Sequence, residues 1–178
     1  DDIAGPLIIT HSSAGQIRLP VADQNQPVIV TADAASHWQE GAVEVWLLRG
    51  RCNIRQGRML AQSQEAVLWI ERSQWPGRLP NKLIAFLEGN VVIECEHAGG
   101  AHPATGRRAD TVRSRNWLGR FYSNPPVQMQ LPVPVAAPQA TPAIYQRAVA
   151  ARWNPVPAVR PAHFNQDRPT YPRDDSPP

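Results

Sequence analysis

From Pro27 onward apolar and polar residues alternate with a period of two, beginning with Val28-Ile29-Val30-Thr31-Ala32. That is the pattern of strands with one face on a core. Four further strand-length segments follow, each bounded by Gly or Pro: residues 41–48, 51–57, 59–71 and 82–96. Ala61, Glu65 and Ala66 tolerate helix, but their place in this series predicts a strand. Residues 97–106, with Gly99, Gly100 and Pro103, read as a loop, and residues 109–122 return to strand spacing. Before Pro27, Leu7-Ile8-Ile9 is short enough to supply an edge strand.

Pro125-Pro126 ends the alternation, and 13 of the 19 prolines lie from there on. Proline lacks the N–H a ladder needs, so this stretch predicts extended polyproline-like chain. Within it only residues 143–153 suit a short helix. The pattern therefore divides the chain into an extension or edge strand (1–27), a β-body (28–124) and a proline-rich extended tail or linker (125–178). The predicted class is all-β and antiparallel, with an irregular tail.

Two unlike segments recur in the same order, so the body is expected to be built from repeats. Ala35-Ser36-His37-Trp38 is matched 31 positions later by Ala66-Val67-Leu68-Trp69, and more loosely by Ser114-Arg115-Asn116-Trp117. Residues 45–54 (VWLLRGRCNI) are matched by residues 84–93 (IAFLEGNVVI). In both of these a four-residue apolar run reaches a charged residue and then Gly50 or Gly89. Before the glycine both strand faces are apolar and must be covered on both sides; after it only one face stays apolar. A glycine at that point predicts a bend or bulge where the strand turns a corner.

These two segments, clearest in Phe86-Leu87-Glu88-Gly89-Asn90-Val91-Val92-Ile93-Glu94, resemble the OstA-like family, which includes LptA and the N-terminal domain of LptD. The resemblance covers about residues 28–123. It implies an antiparallel β-jellyroll or open β-taco stack of the Gram-negative periplasm or envelope, reached through an export signal that this chain does not carry. It further implies passage of lipopolysaccharide or a similar amphipathic lipid along an apolar groove, without chemistry, and joining of β-modules by edge strands or head to tail. On this reading Trp46, Leu48, Ile54, Leu87, Val91 and Ile93 line the groove. Arg49, Arg51 and Arg55 then meet phosphate at its mouth, where a planar guanidinium suits the anion. The alternative from the same pattern is a structural interaction module, whose inward residues are a filled core and whose tail docks on a protein partner.

Composition narrows the chemistry. The net charge of +3 is spread thinly, and Lys82 is the one lysine among 18 basic residues. Such a balance is not that of a polyanion binder. Arg113, Arg115 and Trp117 share one strand face by simple alternation, which is also how an outer polar face looks; no nucleic-acid partner is expected. No apolar run reaches the ~18 residues of a membrane-spanning helix. Cys95, His97 and His102 fit no standard zinc spacing, and no nucleophile elbow or phosphate loop is present. We therefore expect no catalytic residues, metal or cofactor, and two thiols, Cys52 and Cys95, that are not paired with each other.

Overall fold

The computed structural model describes residues 7–12, 15–20, 22–75, 77–96, 109–135 and 137–153. Among the described residues nine strands precede one helix. They are β1 (Leu7–Ser12), β2 (Gly15–Pro20), β3 (Val28–Thr31), β4 (Ala34–Glu40), β5 (Val43–Gln56), β6 (Met59–Glu71), β7 (Asn81–Glu96), β8 (Ala109–Ser123) and β9 (Gln128–Gln130), with α1 at Ala143–Trp153. All belong to one sheet of order β2-β1-β8-β7-β6-β5-β3-β9, with β4 also paired to β5. Every pairing is antiparallel except β3 with β9. The class is thus all-β, as the alternation predicts. The segments at 41–48 and 51–57 are one strand, because Gly50 bends the chain without ending its ladder.

That bend is part of a row crossing the sheet. Pairing of β5 with β6 breaks between Arg49 and Cys52, and pairing of β7 with β8 between Glu88 and Val91. In each case two residues on the odd-numbered strand stand against one on its neighbour, which is a β-bulge. The extra pairs are Gly50-Arg51 (φ 70° and 41°) and Gly89-Asn90 (φ 81° and 48°). Left-handed backbone is natural for glycine and tolerable for asparagine. Arg51 lacks that tolerance, and Asp33 holds it there by accepting from Nε at 3.0 Å and from the terminal nitrogen at 2.7 Å.

Odd and even strands turn this corner differently. In β5 the inward residues are Trp46 and Leu48 before it and Cys52 and Ile54 after it, so the parity is kept. In β6 they are Met59 and Ala61, then Ala66, Leu68 and Ile70, so the parity flips. The same flip separates Ala32 from Ala35 and Val112 from Trp117. Ser63 Oγ donates to the Glu65 carbonyl at 2.9 Å and Ser114 Oγ to the Asn116 carbonyl at 2.7 Å, closing the flip identically in β6 and β8.

The flip corrects the simple alternation read for β8. Arg113 and Arg115 are exposed, whereas Trp117 is 1 % exposed and sits in the inner core, edge-on to Phe121. Trp38 and Trp69 instead face the outer cluster. Trp117 therefore does not occupy the place of those two, and the loose third match breaks down in side-chain direction.

The two-faced apolar run before each glycine finds its second cover in α1. Ile144 and Ala148 are buried on Val45, Leu47, Val67, Trp69, Ile84 and Phe86. Tyr145 donates to Glu40, Arg147 pairs with Glu88, and the Arg152 guanidinium lies 4.9 Å from the Trp69 ring centroid. Within the proline-rich segment, β9 and α1 are therefore packed on the body; residues 154–178 lie outside the described residues. Ala148 is fully buried, so Ala148→Glu is expected to undock α1 at a cost of about 2–3 kcal/mol. Denaturant titration would read that loss, and increased dye binding to the uncovered face would accompany it.

Candidate functional site

The corner row folds the sheet so that its two arms face one another. One arm holds β4 with residues 43–49, 65–71, 81–88 and 116–123; the other holds β3 with residues 52–56, 59–62, 91–96 and 109–114. Inward side chains of both arms form a single cluster.

All six groove candidates lie in it. Trp46 is 9 % exposed and Leu48, Ile54, Leu87, Val91 and Ile93 are between 0 and 1 %. Trp46 stacks on His37 with centroids 4.2 Å apart and donates from its indole to Glu44 at 3.3 Å. Burial works against the Glu44 carboxylate, yet its bonds to Arg72 and Trp46 hold its pKa below the ordinary value. Cys52 and Cys95 are buried in this cluster and are not joined in a disulfide. Burial, with smaller contributions from Glu65 and Asp33, pushes the Cys52 thiol up to about 12, which removes the thiolate that nucleophilic or metal chemistry needs.

A polar seam closes the arms at their far ends. Gln56, at the end of β5, is 1 % exposed. Its Nε2 donates to the carbonyls of Tyr122 (2.7 Å), Gln26 (3.1 Å) and Asp23 (3.2 Å), while its Oε1 has no partner. Ser123 Oγ lies within reach of the Gln26 and Pro125 carbonyls, and Asn81 Nδ2 donates to Ser123 and Pro125. Tyr122 belongs to one arm and Gln56 to the other, so this seam holds the fold shut. The sequence pattern missed it, because Gln56 beside Gly57 reads as the exposed end of a strand. The one available signal was parity: Gln56 continues the inward series Cys52, Ile54.

The three candidate phosphate contacts do not converge. Arg51 is bound to Asp33 and Arg49 lies 3.4 Å from Glu65. The hydrogen bond from Arg51 is the main reason the Asp33 carboxyl stays below its usual pKa. Arg55 is exposed on the opposite arm, paired in register with Ile29 and Leu60. Gly50 and Gly89, in contrast, sit in like surroundings. A Cβ on either would stand 2.6 Å from a side-chain oxygen, that of Asp33 or of Gln64.

His97 and His102 lie outside the described residues. Among the described residues no group of three or more His, Cys, Asp or Glu is placed to hold a metal. Compared with family models, curated proteins and solved structures, the chain matches none.

Proposed function

We propose that this chain is a non-enzymatic OstA-like β-module of a Gram-negative-type envelope that acts as a structural interaction scaffold. The observation that carries the reading is the interior: the six residues suited to line a groove are packed into one core fed by both arms. A groove needs an exposed apolar wall, whereas these residues are between 0 and 9 % exposed. The family resemblance is supported by the bends at Gly50 and Gly89, and by the 31-residue spacing that relates Asp33 to Gln64 as it relates Ala35 to Ala66. A repeat-built jellyroll or β-taco is the reading we give to that spacing.

A second reading is favoured by the same inner face. An apolar surface enclosed by two arms and sealed by a few side-chain hydrogen bonds is suited to accept acyl chains if the seam opens. Incubation with lipopolysaccharide followed by gel filtration separates the two. The scaffold reading expects lipid and protein to elute apart; comigration, with photo-crosslinking of acyl chains to position 48 or 93, would establish the carrier instead.

A further inference from the structure

The outer edge of β3 and β4 is where another β-strand would add, since unpaired edge groups template pairing. This chain fills it with its own tail. Ile29, Val30 and Thr31 pair in parallel with Gln128, Met129 and Gln130, and Ser36 bridges Val135. The first partners differ by 99 positions (128 − 29) and the last also by 99 (135 − 36), so one register continues past the Asp33 corner. Residues 128–135 thus follow the bent edge along both arms.

The segment is built to stop there. Val135 N–H donates to the Ala35 carbonyl at 2.9 Å and its carbonyl accepts from His37 N–H at 3.4 Å, so both its backbone groups face inward along the sheet. Neighbouring residues in a strand direct these groups to opposite sides. The missing N–H of Pro134, next to Val135, therefore falls on the far side, where a further strand would need a donor. Prolines there blunt an edge. Met129 and Leu131 meanwhile pack against the inner core.

We propose that residues 128–135 are an end cap that occupies the strand-addition site of β3–β4 and excludes a second β-module, in the first instance another copy of this chain, from that edge. The inference holds whether or not the interior takes lipid. It makes the module one-ended, leaving strand addition to the β8 side, where β1 contributes two pairs.

The test uses the full chain with Val135→Pro, which removes an inward-facing donor, and Ser36→Cys as a reporter on the uncovered edge. Light scattering should give the 19.7 kDa monomer for the parent chain and at least a doubled mass for the uncapped variant. Oxidation should then link position 36 between copies. A Ser36→Cys, Val135→Cys variant, oxidised to fasten the cap, should stay monomeric and tests the cap without weakening the fold. An uncapped variant that melts cooperatively yet stays monomeric overturns the proposal. So does a mass increase without linkage at position 36, which would place association elsewhere.

Discussion

Gly89→Val is expected to lower stability by about 3 kcal/mol, close to a 10 °C fall in melting temperature for a chain of this size. Two effects add. The backbone at Gly89 has φ 81°, where a β-branched residue is strained. The new Cβ would also stand 2.6 Å from Gln64 Oε1 and 3.0 Å from its Cβ. Gln64 is the β6 residue that stands opposite the bulge of β5, so relief of the contact has to move the corner itself. Gly50→Val should behave alike, since Asp33 offers contacts at the same two distances and would be pushed off Arg51. Gly41 supplies the control, with φ 61° and nothing within 4 Å of its Cβ position. Gly41→Val therefore carries the backbone strain alone, about 1–2 kcal/mol. Equal losses at all three positions would show that strain, not the corner, sets the cost, and unchanged melting at Gly50 and Gly89 would remove the corner argument altogether.

Much of this corner was legible in the sequence because it follows from local rules. An apolar run on both faces that turns one-sided at a glycine has few structural solutions, and β5 and β7 adopt the same one. The run also announced a second cover, and residues 143–153 were the one stretch of the tail able to make a helix. What alternation did not carry is the parity flip of the even strands. It depends on Ser63 and Ser114 bonding to a carbonyl two residues on, which looks like any polar pair in a strand. Trp117 was misplaced for that reason, its inward position also needing Gly119 beneath the ring, where a Cβ would meet it at 1.9 Å. The tail was read from composition, and composition averages over register. Pro134 stands next to the bridging Val135, so it suits the open side of an edge strand as well as free polyproline chain, and only the partner strand distinguishes these.

Gln56→Leu is expected to cost about 1–3 kcal/mol while preserving volume, because the half-buried Tyr122 carbonyl loses its Gln56 donor, while the Gln26 carbonyl keeps Ser123 Oγ within reach. Removing the unpartnered Oε1 offsets part of this loss. The damage should be local to the seam. Amides of residues 23–26 and 122–124 should exchange faster, while those of residues 83–87 in the first half of β7 keep their protection. Uniform loss of protection would mean that Gln56 supports the whole core and closes no seam. The same variant also bears on function. Once the arms are free to part, the apolar inner face is the surface that becomes exposed. A scaffold with a packed core gains instability and no ligand, so lipopolysaccharide should still elute apart from Gln56→Leu. Comigration with Gln56→Leu but not with the parent chain would instead make the Gln56 seam the gate of a lipid site, and would move the balance of function from the edges of the sheet to its interior.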